Sequence, residues 1–140
     1  MIWITGASSG IGASLALELC KSGAQVILSA RRKEQLGDVA SQCLELGMKT
    51  STSVPIPIPL VLPLDVTDLE AQKDAVDAII KKYGRIDMLI LNAGKSQRAV
   101  NYEFSYNQML ELMDLNFNSI VHLTQLVLPH MMDRKEGHVS

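Results

Sequence analysis

The 140-residue sequence predicts an α/β fold, in which helices cover both faces of a parallel sheet. Two observations support this fold class. Strand-like and helix-like segments alternate regularly, and Val26-Ile27-Leu28 is a continuous apolar run of the kind found in parallel strands buried on both faces. Because successive parallel strands are joined by right-handed crossovers, we expect a doubly wound sheet.

Short apolar runs bounded by glycine, proline or polar residues mark the predicted strands. They lie at residues 1–4, 25–29, 60–64 and 86–91. Residues 138–140 resemble the opening of a fifth strand that is cut off. We therefore interpret residues 1–140 as one domain that is incomplete at its C-terminus.

Helical periodicity fills the segments between these strands. The first helix ends at Gly23, and the second extends over residues 33–46 and stops at Gly47, because glycine suits the left-handed cap position. Thr67 and Glu70 predict a capping box that opens the third helix.

The third helix presents an apolar face that includes Val76 and Ile79, and it ends at Gly84. Residues 105–135 predict one long helix or two nearly continuous ones. Pro129 is expected to kink this segment, because proline lacks the N–H group that a helix interior needs.

Residues 50–59 do not fit the alternating pattern. Three prolines alternate with two isoleucines here, which excludes a central strand and favours an extended surface loop. We interpret the segment as a proline-rich loop insertion, and a ligand for a proline-recognition domain is the alternative.

The composition is that of a soluble globular protein, with 47% hydrophobic and 20% charged residues. A net charge of −2 and the lack of a basic stripe argue against a nucleic-acid partner. No apolar window reaches the roughly 18 residues of a membrane span, so any anchor is expected outside this chain.

The two cysteines, Cys20 and Cys43, each lie within a helical pattern. Buried free thiols are the favoured interpretation, and a disulfide or redox pair is the alternative. Free thiols are compatible with a reducing compartment such as the cytosol, but the sequence does not assign a location.

Residues 5–12, Thr-Gly-Ala-Ser-Ser-Gly-Ile-Gly, connect the first strand to the first helix. Gly6 permits the sharp turn, Gly10 allows the backbone to approach a pyrophosphate, and Gly12 allows close helix packing. The free N–H groups of the first helical turn would face the anion. This arrangement predicts the phosphate site of a dinucleotide-binding Rossmann domain.

The end of the second strand predicts which dinucleotide binds. An NAD site usually has a carboxylate here that accepts hydrogen bonds from the ribose 2′-hydroxyl. This chain has Ala30 followed by Arg31 and Arg32, and guanidinium groups match a 2′-phosphate in charge and geometry. We predict NADP rather than NAD, and the alternative role of the arginines is a solvated helix start.

Four ordered motifs resemble the short-chain dehydrogenase/reductase family. They are residues 5–12, the segment Leu64-Asp-Val-Thr-Asp68, Asn92-Ala-Gly94 and Asn116 within the long helix. Within that family, residues 29–32, 96–98 and 127–131 are most similar to the dehydrogenase/reductase member 7 group.

The resemblance implies which residues bind the cofactor. Asp65 would contact the adenine amine, with capping of the next helix as the alternative, and Asn92-Ala93-Gly94 would line the groove or simply end a strand. The implied cofactor-binding set is Gly6, Ser8, Ser9, Gly10, Ile11, Gly12, Arg31, Arg32, Asp65, Val66, Asn92, Ala93 and Gly94.

The resemblance also implies a catalytic residue. Asn116 would hold a water molecule in a proton relay, although asparagine is a poor helix former and could be a bystander. His122 and His130 have no partner at metal-ligand spacing, so no metal site is predicted.

The activity implied by the family is NADP(H)-dependent hydride transfer to or from a small carbonyl or alcohol substrate, in a homo-oligomer. The family's Tyr-x-x-x-Lys pair is absent, because Asp87, Tyr106 and Leu110 stand four residues after the three tyrosines. We therefore expect an inactive N-terminal part of an oxidoreductase, with the pair encoded further on. A truncated non-catalytic dinucleotide-binding or interaction module is the alternative, and a scaffold that binds nothing is the third.

Overall fold

The computed structural model describes residues 1–50, 57–97 and 103–140. These residues form one parallel sheet with helices on both faces. The strands are β1 (Ile2–Thr5), β2 (Val26–Ser29), β3 (Leu60–Val61), β4 (Met88–Ile90) and β5 (His138–Val139). The helices are α1 (Gly10–Lys21), α2 (Lys33–Thr50), α3 (Leu69–Tyr83), α4 (Tyr106–Met113) and α5 (Ser119–Arg134), with a π-helical turn (Asp114–Asn118) between the last two.

The strand order is β3-β2-β1-β4-β5, and all pairs are parallel. Ile4 of β1 pairs with Leu28 of β2 on one side and with Ile90 of β4 on the other. The chain therefore reverses direction across the sheet between β3 and β4, so a crevice opens at the carboxyl ends of β1 and β4. The predicted doubly wound fold is confirmed.

Alternate residues of the central strands supply two separate cores. Trp3, Ile27 and Leu89 lie on the face that α3 and α5 cover. Ile4 and Leu28 lie on the opposite face, under α1 and α2. The apolar run of β2 is thus buried on both sides, as its composition predicts.

Cys20 of α1 and Cys43 of α2 are buried free thiols, which confirms the favoured interpretation. The neighbouring Cys43 thiol and burial raise the pKa of the Cys20 thiol.

Helix α2 is longer than predicted. It continues through Gly47 to Thr50, so the prediction of a stop at Gly47 was wrong. An interior glycine costs a helix only about 1 kcal/mol relative to alanine, which neighbouring turns can tolerate. The glycine at the end of α3 does act as predicted, because Gly84 adopts a left-handed φ of 75°.

The residue that caps α3 also differs from the prediction. Asp68, rather than Thr67, is the N-cap, and its Oδ1 accepts a hydrogen bond from the Ala71 N–H at 3.0 Å. Thr67 turns back to Asp65, so the expected Thr67 capping box does not form. A carboxylate at this position complements the positive end of the helix dipole.

Strand β3 is shorter than the predicted span of residues 60–64. Regular pairing stops at Val61, although the N–H groups of Leu62 and Leu64 still donate to carbonyls of β2 and the residue after it. Pro63 lies between these two donors, so its missing N–H falls on the open side of this edge. The other strand boundaries differ by at most two residues at either end. Most of the predicted loop insertion at residues 50–59 lies outside the described residues.

The long C-terminal helical segment consists of two continuous helices, as one form of the prediction states. Ser105 opens α4 with a capping box that includes Gln108, and α5 runs through Pro129 to Arg134. The π-helical turn between α4 and α5 places Asn116 at its centre.

Candidate cofactor groove

A groove of about 330 Å³ lies at the carboxyl ends of the strands. It spans the crevice between β1 and β4 and extends past the end of β2. Crevices at this position are where open α/β sheets bind their ligands.

The groove brings together nearly all residues that the sequence assigns to cofactor binding. Gly10 and Gly12 are the exceptions, since they lie in the turn without lining the groove. The lining residues are Gly6, Ser8, Ser9, Ile11, Ala30, Arg31, Arg32, Leu64, Asp65, Val66, Asn92, Ala93, Gly94 and Leu115.

The glycine turn has the geometry of an anion site. Gly10 adopts a φ of 57°, which favours glycine. A Cβ atom on Gly12 would approach the Gly6 carbonyl oxygen to 2.5 Å, so only glycine allows α1 to start this close to β1. Ser9 is the N-cap but makes no capping bond, which leaves N–H groups of the first turn for a ligand.

Asn92 joins the ends of β1 and β4. Its Nδ2 donates to the carbonyl oxygens of Thr5 at 3.1 Å and Gly6 at 3.2 Å, and the Ala93 N–H donates to Thr5 Oγ1 at 3.0 Å. The segment therefore follows the end of the strand and also lines the groove.

The guanidinium groups of Arg31 and Arg32 concentrate positive charge at the end of β2. The Arg32 guanidinium donates to Ser8 Oγ at 3.2 Å and to Ser9 Oγ at 3.1 Å, above the glycine turn. Both Arg31 and Arg32 are exposed and line the groove. The site thus combines two guanidinium groups with two hydroxyl groups, all of which are hydrogen-bond donors to anions.

Asp65 lines the same groove as the glycine turn. Its Oδ1 accepts bonds from the Thr67 N–H at 3.0 Å and the Thr67 hydroxyl at 2.8 Å. The Thr67 backbone bond, followed by the hydroxyl bond and nearby Arg31, lowers the pKa of Asp65 in spite of partial burial. Both bonds use Oδ1, so Oδ2 has no hydrogen-bond partner among the described residues.

Asn116 projects from the π-helical turn towards the loop that follows β4. Its Oδ1 accepts from the Lys95 N–H at 2.9 Å, and its Nδ2 donates to the Lys95 carbonyl at 2.7 Å. Asn116 does not line the groove, although the preceding Leu115 does. Its side chain therefore fixes the loop beside the groove through a pair of backbone bonds.

Three lining residues were missed by the sequence assignment: Ala30, Leu64 and Leu115. Ala30 and Leu64 immediately precede assigned residues at strand ends, so strand-end position alone could have identified them. Leu115 carries no such indication, because helical periodicity does not reveal the π-helical turn that directs it into the groove.

Over residues 1–50, 57–97 and 103–140, no group of three or more histidine, cysteine or acidic side chains is arranged to hold a metal ion. Within the same ranges, no helix combines the length and apolar character that a membrane crossing requires.

The family model for short chain dehydrogenase matches residues 1–139. The chain is 43% identical over 139 residues to dehydrogenase/reductase SDR family member 7 of Mus musculus, covering 99% of this chain and 40% of the relative. It is 40% identical over 136 residues to gluconate 5-dehydrogenase of Gluconobacter oxydans, covering 97% of this chain and 50% of the relative.

A metagenomic short-chain oxidoreductase, solved in complex with NADP, has a similar structure. The TM-score is 0.87 at 27% identity, and the match covers 99% of this chain and 59% of the solved one. This chain thus spans about half the length of the relatives it matches. The matched residues 1–139 include the glycine turn, all five strands of the sheet and the residues that line the groove between β1 and β4. The chain therefore belongs to the short-chain dehydrogenase family.

Proposed function

We propose that this chain is the NADP(H)-binding part of an oxidoreductase that acts on a small carbonyl or alcohol substrate. The observation that carries the proposal lies at the end of β2. Two arginines and two serine hydroxyls face the groove there, and Ala30 occupies the position where an NAD site usually has a carboxylate. The NADP complex of a similar solved protein supports the same cofactor.

The polarity of this subsite distinguishes the two nicotinamide cofactors. A ribose 2′-hydroxyl needs an acceptor here, whereas a 2′-phosphate needs donors and positive charge. Arg31 and Arg32 supply both, with Ser8 and Ser9 as further donors. Asp65 would accept from the adenine amine through Oδ2.

The other proposed contacts follow from the same groove. The first-turn N–H groups of α1 would bind the pyrophosphate, and Asn92-Ala93-Gly94 would form the floor. The bound nicotinamide would supply the chemistry of hydride transfer. Asn116 would contribute by ordering the Lys95 backbone and a water molecule beside the reacting groups.

Charge removal at this subsite tests the cofactor proposal. Arg31→Ala should weaken NADPH binding by about 1 to 3 kcal/mol, the range for a charge-assisted hydrogen bond, and Arg32→Ala should act in the same direction. NADH binding should change little, because NADH has no 2′-phosphate. Titration calorimetry with both cofactors measures the difference.

Lys73→Ala is the matched control, because it removes one positive charge from an exposed site on α3. It should leave NADPH affinity unchanged at moderate ionic strength. Equal losses for NADPH and NADH in the arginine variants would contradict the choice of NADP.

A non-catalytic dinucleotide-binding module is the second candidate. It concerns the chain as given, in which no tyrosine is followed by lysine at the fourth position. The 140-residue chain should therefore bind NADPH without consuming it in the presence of ketones or aldehydes, as followed by NADPH absorbance. Turnover above background would overturn this expectation and would require a different proton donor.

A further inference from the structure

Gln72 of α3 is a polar side chain buried completely within the core between α3 and α5. All of its hydrogen-bonding groups have partners. Its Nε2 donates to the Val66 carbonyl at 2.6 Å and to the Ser119 carbonyl at 2.9 Å, and its Oε1 lies 2.7 Å from His122 Nδ1. A buried amide is costly unless it is satisfied in this way.

These partners determine the orientation of the Gln72 amide and show which ring nitrogen of His122 donates to it. Carbonyl oxygens only accept hydrogen bonds, so the NH₂ group of Gln72 must face Val66 and Ser119. Its oxygen therefore faces His122, and His122 Nδ1 must carry a proton.

The two carbonyl groups belong to two segments that are both connected to the groove. Val66 lines the groove next to Asp65, on the proposed adenine side. Ser119 directly follows the π-helical turn, and its hydroxyl donates at 2.6 Å to the carbonyl of Leu115, which also lines the groove. One amide thus bridges, from inside the core, two segments that a bound dinucleotide would contact from outside.

We propose that Gln72 is a positioning residue that fixes these two segments relative to each other and thereby determines cofactor affinity. The inference rests on the proposed function of the groove. Coupling between the amide and the cofactor must be reciprocal, so cofactor binding should also stabilise the Gln72 bonds.

The first test compares cofactor affinity in two variants. Gln72→Met keeps the side-chain volume but removes all three bonds, and Gln72→Glu keeps an acceptor for His122 but removes both donors. Each should raise the Kd for NADPH by roughly threefold to tenfold among molecules that remain folded, the effect of about one net hydrogen bond. Gln125→Met, at an exposed glutamine of α5, is the control and should bind as the wild type does.

A merely structural role would lower the melting temperature and leave the Kd of the folded molecules unchanged, which would overturn the inference. A wild-type chain that binds neither NADPH nor NADH would refute the proposed function, and this inference with it. Wild-type binding with the same Kd in both Gln72 variants would refute the inference alone.

The second test needs no substitution and covers the case in which the variants do not fold. Solvent exchange of the Gln72 side-chain NH₂ protons is followed by NMR with and without saturating NADPH. We expect NADPH to slow this exchange at least several-fold and to leave the exposed amide of Gln125 unaffected. The same Gln72 rate in both states would overturn the inference.

Discussion

The Asp65 carboxyl group accepts hydrogen bonds from Thr67 in a local turn and also lines the groove. Its pKa lies below the usual carboxyl range because the Thr67 N–H and hydroxyl stabilise the charged form, with Arg31 nearby. A carboxyl group with a lowered pKa in the folded state stabilises the fold above its unfolded pKa, near 4. This contribution is lost as pH falls through the lower pKa of the folded state.

We therefore predict that the effect of Asp65→Asn depends on pH. The variant should be less stable than wild type near neutral pH, and the difference should shrink as pH falls below about 4, where the wild-type carboxyl becomes protonated. Urea unfolding at several pH values measures it. Thr67→Val should reduce the same pH-dependent difference, and a difference that stays constant with pH would contradict the assignment.

Residues of the glycine turn and of the strand ends are the groove-lining residues that sequence reasoning could name. Glycine has a specific backbone role in such a turn, and arginines after β2 bring a specific charge, so residue type and position along the chain were enough to single them out. Leu115 and Gln72 could not be found in this way. Their roles depend on which helix packs beside which, and that is a property of the assembled core.

At the scale of the elements, the cap of α3 provides a direct stability test. Asp68→Ala removes the side-chain acceptor for the Ala71 N–H and should lower the free energy of unfolding by about 1 kcal/mol. Chemical denaturation with an unchanged m-value measures this loss.

Asp74→Ala is the matched control, because it removes an exposed carboxylate from the middle of the same helix. It should change stability by much less than Asp68→Ala. If Asp74→Ala destabilised the fold as strongly as Asp68→Ala does, the loss would not come from the cap and the assignment to Asp68 would fail.

The order and type of the elements followed from the sequence, but several boundaries did not. Glycine ends α3 at Gly84 yet lies inside α2 at Gly47, so the residue type alone does not distinguish a cap from an interior position. Strand β3 has only two residues at the edge of the sheet, and Pro63 is tolerated just beyond it because its missing donor falls on the open side. The fold class survived these errors because apolar periodicity, rather than end signals, determines it.

At the scale of the whole molecule, a large apolar surface remains exposed on α4 and the adjoining turn. Its residues, here called the α4 apolar face, are Tyr106, Met109, Leu110, Met113 and Phe117. Exposed apolar patches of this kind mark surfaces that associate. The short strands β3 and β5 form the two edges of the sheet and present further unpaired backbone groups.

We predict that the 140-residue chain associates in a concentration-dependent way through the α4 apolar face. Replacing Met109 and Met113 together by glutamate should lower the average mass seen in sedimentation equilibrium and improve solubility, because charges on this face oppose its burial. Leu69→Glu, on the exposed start of α3, is the control. A wild-type chain that stays monomeric across the concentration range would contradict the prediction.

The π-helical turn limits which single-residue deletions this chain can tolerate. It holds one more residue than an α-helical turn, and a single residue corresponds to about 100° of rotation around a helix axis. Deleting one residue between Asp114 and Asn118 would restore a regular helix, but it would also turn α4 by that angle relative to α5. The buried row of α5, from Leu123 to Met131, would hold its place in the core while Asn116 moved away from Lys95. The length of this turn, to the single residue, is therefore as much a determinant of the groove as the identity of the asparagine within it.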